Sequence, residues 1–144
     1  MTTTEDQPFV DITIQMKEQL EADRCTLYFV DKEKNEVWSK VALGLEGMEI
    51  RLPTNRGVVG YVARTGRTLN LKDVYNDPRF DRSTDMRTGY RTKSMLAMAI
   101  RGQKNQIIGV LQALNKPAGV FTQEDEKIMQ KYSHEVSSLI ELRA

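Results

Sequence analysis

Few side chains in this sequence suit covalent or metal chemistry. It holds one cysteine, Cys25, and one histidine, His134, too few for a His/Cys zinc site within one chain. As nucleophile and base the two would need mutual reach and an orienting third group. Cys25 falls instead in an alternating stretch that reads as a strand, and His134 falls among polar neighbours on a long helical pattern. The residues that do combine by type and spacing lie in Asn115-Lys116-Pro117-Ala118-Gly119-Val120-Phe121-Thr122-Gln123-Glu124-Asp125-Glu126. Thr122, with Asp125 three residues later, makes a capping box for a helix. Pro117 and Gly119 tighten the connection before that cap, and Lys116 and Asp125 carry opposite charges able to clamp its two sides. Phe121 precedes the cap, where a ring commonly staples to the fourth helical residue. That residue is Glu126, so the ring must pack elsewhere. On local chemistry alone the stretch is a strand-to-helix junction.

The totals exclude several classes. A chain of 144 residues is most simply one domain with a real core. Its 40 % hydrophobic and 28 % charged content is ordinary for a soluble globular protein. A formal net charge of +1 offers no basic surplus for nucleic acid. No apolar run approaches the roughly 20 residues that cross a bilayer, and the first nine residues lack the basic and apolar regions of a signal peptide. With one cysteine there is no internal disulfide, and a cytoplasmic setting is expected.

The elements that must position these residues follow from periodicity. Phe9, Ile12, Met16 and Leu20 recur at helical spacing, predicting an N-terminal helix over 9–22 with 1–8 as disordered chain or linker. Residues 24–31 alternate, with Cys25, Leu27 and Phe29 on one face and Thr26, Tyr28 and Val30 on the other. After the polar turn 31–35, residues 36–43 return as a hairpin strand with Val37 and Val41 sharing a face. A short extended piece, 49–52, stops at Pro53. A turn at 54–57 then feeds a short helix ending at Thr65-Gly66, and 68–71 gives another short strand. Residues 72–91 show no clean period, are broken at Pro78 and Gly89, and are rich in Asp, Asn, Arg and Thr. A loop of that length in a compact domain is usually functional or disordered. Residues 93–100 and 107–115 form a second hairpin. The final helix is expected over 122–143, its stripe of Met129, Tyr132, Val136 and Leu139 serving the core or a partner helix. These elements suggest an α+β domain around an antiparallel sheet of five or six strands.

Asn115-Lys116, a short spacer, then Phe121 with Asp125-Glu126 resembles the motif of GAF domains that bind cyclic nucleotides, as in phosphodiesterases and bacterial adenylyl cyclases. Further matching pieces are Ala22-Asp23-Arg24-Cys25-Thr26-Leu27-Tyr28, Gly57-Val58-Val59-Gly60-Tyr61-Val62, Asp73-Val74-Tyr75-Asn76-Asp77-Pro78-Arg79-Phe80 and Thr88-Gly89-Tyr90-Arg91-Thr92. The resemblance covers roughly 8–143. It implies a GAF-like, PAS-related fold: terminal helices on one sheet face, and a ligand pocket under a loop and short-helix lid on the other.

The resemblance also implies a non-catalytic regulatory domain, with cAMP or cGMP as ligand and no cofactor. The amides of Val58 and Val59 match the family's phosphate-facing pair, and free N–H groups at a helix start suit an anion. Asp81, Asp85, Thr88 and Thr92 match lid positions that hydrogen-bond ligand, while Thr26 and Gln112 match positions near the base. Asn115, Lys116, Phe121, Asp125 and Glu126 match the motif that locks the pocket without touching ligand. Two departures lean toward cAMP. Where the family supplies an aromatic ring and then an acid to guanine, this chain has Ala42 and Leu43. At Gln112 an amide, able to give and accept, stands where an acid would favour guanine. A methionine sulfoxide reductase of this type would need further cysteines, and a bilin photoreceptor would need one in a pocket-side loop. The expected partners are a small cyclic nucleotide and a second copy meeting through the terminal helices, with neither nucleic acid nor membrane. Another small ligand, or dimerisation without one, is the alternative.

Overall fold

The structure, a computed structural model, describes residues 6–45 and 47–143. Its first helix, α1 (Gln7–Leu20), starts two residues before the expected 9–22 span and ends two residues earlier. Pro8 fits the first turn because the missing N–H is one that a helix start leaves unpaired. Glu21 ends α1 by taking a left-handed φ of 53°. The expectation of disorder or linker at 1–8 fails for Gln7 and Pro8, which are helical; residues 1–5 lie outside the described residues. The buried row of α1 is Phe9, Thr13, Met16 and Leu20, with Ile12 only partly covered. Thr13 is tolerated there because its hydroxyl donates to the Phe9 carbonyl at 2.8 Å.

Six strands form one antiparallel sheet. They are β1 (Arg24–Asp31), β2 (Glu36–Ala42), β3 (Arg51–Pro53), β4 (Leu69–Leu71), β5 (Met95–Arg101) and β6 (Ile107–Leu114), in the order β3-β2-β1-β6-β5-β4. The alternation of β1 sorts as expected. Cys25 and Leu27 enter a back-face core with Phe9, Met16, Leu20, Met129 and Tyr132, whereas Tyr28 enters a front-face core with Val58, Val62 and Val110. In β2 the expectation fails, because Val37 lies in the front core and Val41 in the back core. Ser39 pairs with Tyr28 and Val41 with Leu27, so Lys40 is an extra residue that turns the following side chains over.

The other helices are α2 (Gly57–Thr65), α3 (Ser83–Thr88) and α4 (Gln123–Arg143). α1 and α4 pack on the back face, α2 on the front. Met129, Tyr132 and Val136 of α4 are 0–1 % exposed, and Leu139 packs at the edge of that core. The span 72–91 is not wholly irregular: it contains a 3-10 turn at Val74–Asn76 and then α3. No described helix is long and apolar enough to cross a membrane.

Candidate ligand-binding cleft

Between the front of the sheet and α3 lies a cleft whose space, open mouth included, is about 750 Å³. Thr26, Val58, Val59, Asp81, Asp85, Thr88, Thr92 and Gln112 all line it. Four separate stretches of chain, at 26, 58–59, 81–92 and 112, therefore converge on one space. Thr26 and Gln112 stand directly opposite each other on β1 and β6, 5 % and 7 % exposed. Their neighbours on the floor are Tyr28 and Met95, both missed by sequence reasoning as cleft residues because each reads as an ordinary core position.

The floor is polar at one point. Tyr28 Oη donates toward Gln112 Oε1 at 3.4 Å, and Gln112 Nε2 lies 3.6 Å from Met95 Sδ. A phenol donor on one side and a thioether acceptor on the other select the same orientation of the amide. Neither bond is short, so the amide keeps capacity for a further partner. Burial pushes the Tyr28 phenol well above its ordinary value, so it stays protonated.

At the opposite wall α2 begins without a side-chain cap, from Arg56 in extended conformation. Gly57 follows at φ +78°, a conformation that favours glycine. Gly60 is set by packing: a Cβ there would stand 2.9 Å from the Pro53 carbonyl oxygen and 3.0 Å from that of Thr54. The unpaired first N–H groups and the helix dipole make this end attractive to an anion. Asp81 stands beside it. Its carboxylate accepts from Ser83 N–H at 2.9 Å and lies 3.7 Å from Arg56 Nε. The Ser83 bonds above all, then Arg56, hold it below the ordinary carboxylate value.

Asp85, 7 % exposed, accepts from Tyr75 Oη at 2.7 Å, from Thr92 N–H at 2.8 Å and from Thr92 Oγ1 at 2.7 Å. Here Asp85 and Thr92 bond each other, so together with Tyr75 they hold α3 down over the cleft. Thr88 Oγ1 receives the Tyr90 N–H at 3.3 Å. Arg24, whose guanidinium carbon sits 3.8 Å over the Tyr90 ring, borders the mouth. Of the two departures from the nucleotide-binding pattern, Leu43 lines the cleft and Ala42 pairs with Thr26 at the end of β2.

None of Asn115, Lys116, Phe121, Asp125 and Glu126 lines the cleft. Lys116 Nζ meets both Asp125 oxygens at 2.8 and 3.0 Å. Asp125 also accepts from Thr122 N–H at 2.8 Å, and Thr122 Oγ1 accepts from Asp125 N–H at 3.1 Å, which is the reciprocal capping box. Phe121, 1 % exposed, packs in the back-face core rather than on Glu126. Asn70 Nδ2 ties Glu126 Oε2 and the Phe121 carbonyl to β4, at 3.1 and 2.9 Å. Asn115, left-handed at φ 58°, accepts through Oδ1 from Lys93 and Ser94 N–H and donates through Nδ2 to Tyr90 Oη and the Arg91 carbonyl. The lid's far end is thereby fastened to the motif.

A family model described as "GAF domain" matches residues 6–140. The chain belongs to the GAF family. A GAF domain is a regulatory or sensor module. Among its relatives is the dual 3',5'-cyclic-AMP and -GMP phosphodiesterase 11A of Takifugu rubripes, 38 % identical over 126 residues, covering 78 % of this chain and 14 % of that protein. The chain thus spans only about a seventh of that relative. The GAF domain of a phosphoenolpyruvate-protein phosphotransferase from Coxiella burnetii superposes with TM-score 0.83 at 22 % identity, over 94 % of this chain and 82 % of that one. The free methionine-R-sulfoxide reductase of Neisseria meningitidis, in complex with its substrate, superposes with TM-score 0.79 at 19 % identity, over 95 % and 78 %. These structural likenesses carry the fold alone: an α+β domain with a six-stranded antiparallel sheet and four helices.

Proposed function

We propose that this GAF domain, taken as one unit over 1–144, is a non-catalytic receptor for a 3',5'-cyclic nucleotide, with cAMP favoured over cGMP. The observation that carries this reading is the cleft itself. It places an uncapped helix start at one wall and a buried, incompletely bonded amide, Gln112, on its floor. A molecule with an anionic end and a hydrogen-bonding heterocycle suits that division. The phosphodiesterase relative, named for both nucleotides, supports it. Val58 and Val59 would serve the phosphate, Thr26 and Gln112 the base, and the 81–92 segment would close over the ligand. Cys25 offers no nucleophile: it is fully buried on the back face, and burial pushes its thiol up to about 12.

Occupancy would pass to the terminal helices, and through them to a second copy or an output domain in a cytoplasmic protein. For that, the ligand must bind the two helix arrangements with different affinity; tight binding alone shifts nothing. Calorimetry and thermal melting with pure cAMP and cGMP test the reading. We expect heat and a raised melting temperature, more with cAMP, and slower proteolysis across 81–92. No heat and no shift at millimolar nucleotide would end it. The likeness to a reductase seen with its substrate favours a second reading, a pocket for another small molecule. Mass spectrometry of compounds co-purifying with the folded protein would separate the two.

A further inference from the structure

On the cleft floor, strand β6 carries Gln112 between β1 on one side and β5 on the other. Directly across the two ladders stand Thr26 and Ala97, both short side chains. The amide therefore meets longer side chains on the two diagonals. Tyr28 pairs with Val110, two residues before Gln112, and Met95 pairs with Leu114, two residues after it. The ladders fix these backbone positions, so the phenol and the thioether sit on opposite sides of one amide.

The two ends of that amide are not interchangeable. As placed, Gln112 Oε1 accepts from the Tyr28 hydroxyl at 3.4 Å, and Nε2 donates one hydrogen toward Met95 Sδ at 3.6 Å. Turned over, the nitrogen would face the phenol, whose own proton would lose this acceptor at a residue only 2 % exposed. The oxygen would face the sulfur, which has no hydrogen to give. One lone pair of Oε1 and one hydrogen of Nε2 remain for a ligand.

That remaining pair can read a purine edge. Adenine sets a donor, N6–H, beside an acceptor, N1; guanine sets an acceptor, O6, beside a donor, N1–H. An amide held one way round therefore matches one base, and turned over it matches the other, when both bases enter in the same pose. The uncapped start of α2, holding the phosphate, would supply that common pose. Resting on the receptor reading above, we propose that Tyr28, together with Met95, sets which purine the cleft accepts by fixing the orientation of the Gln112 amide. Tyr28 is a positioning residue, acting through Gln112.

The test compares cAMP with cGMP on the whole chain by calorimetry and reads the ratio of their dissociation constants. Wild type should prefer one nucleotide, cAMP on the reading above. In Tyr28→Phe the amide can turn, so the preferred nucleotide should weaken roughly three- to tenfold while the other holds or tightens, and the ratio should fall toward one. Met95→Leu keeps the side-chain volume and removes the acceptor, so it should move the ratio the same way, and it carries the test if Tyr28→Phe does not fold. Before any ligand is added, nitrogen–proton spectra of the labelled chain should show the Gln112 Nε2 hydrogens shifted in both variants. Val62→Ala, in the front core but outside the cleft lining, should leave the ratio unchanged whatever it does to stability. A ratio unmoved by both cleft variants overturns the inference, and so does equal weakening of the two nucleotides. Equal affinity in wild type also overturns it but leaves the receptor reading standing. Binding of neither nucleotide by wild type ends both.

Discussion

Asn115 carries more of the structure than its size suggests. Its amide makes four hydrogen bonds, to Lys93 N–H, Ser94 N–H, Tyr90 Oη and the Arg91 carbonyl, at 2.6 to 3.1 Å. Its own carbonyl accepts from Asp23 N–H at 2.7 Å, just after α1. The left-handed φ adds a second demand, since most side chains resist it. The two demands separate by substitution. Asn115→Gly keeps the backbone and loses the four bonds, costing about 2–4 kcal/mol. Asn115→Ala loses the same bonds and adds left-handed strain of about 1–2 kcal/mol. Urea denaturation should place Ala below Gly; equal midpoints would show that the backbone is not constrained as described. The neighbouring Lys116–Asp125 clamp and the Thr122 cap were legible in the sequence because their partners lie within nine positions. The Asn115 fork was not, because its partners lie more than twenty positions away and nothing local signals them.

At the scale of elements, the lid is where charge matters most. Asp77 is held below the ordinary carboxylate value of 3.8 chiefly by the Arg79 side chain, and Asp81 chiefly by Ser83 N–H. A carboxyl with a lower value in the fold than in the unfolded chain stabilises the fold fully above the unfolded value. The contribution disappears as pH falls through the folded value. The lid's share is thus intact above about pH 4 and fades below it. Hydrogen exchange over 77–88, corrected for intrinsic rates, should hold constant down to about pH 4 and accelerate toward about pH 3, ahead of β5. Lid protection unchanged over that range would remove these carboxyls from its support. The sequence marked 72–91 as functional or disordered by its length and composition. It hid α3, whose six residues are too few to show a period. It hid the Lys40 bulge too, since one extra residue leaves the composition of β2 untouched.

The whole molecule is one sheet between two cores, and that arrangement sets how cleft and terminal helices can influence each other. Met16 of α1 and Val62 of α2 are both fully buried, in the back-face and front-face cores respectively. Fold class and the faces of β1 were legible because β1 alternates cleanly, whereas the faces of β2 were not, because the bulge at Lys40 puts Val37 and Val41 in different cores. The cleft's depth was not, since it depends on how α2 and the lid stand off the sheet. If the cores meet only through the shared strands, their substitutions act independently. Met16→Ala should cost about 2–5 kcal/mol and Val62→Ala about 2 kcal/mol. The double variant should lose their sum to within about 0.5 kcal/mol. Unfolding should still follow one transition by circular dichroism and by Trp38 fluorescence, because neither face can keep its strands once the other has lost them. A deficit well beyond additivity would mean that side chains on the two faces repack together. The route from cleft to terminal helices would then run through the sheet, rather than around it by way of Tyr90, Asn115 and Asp23.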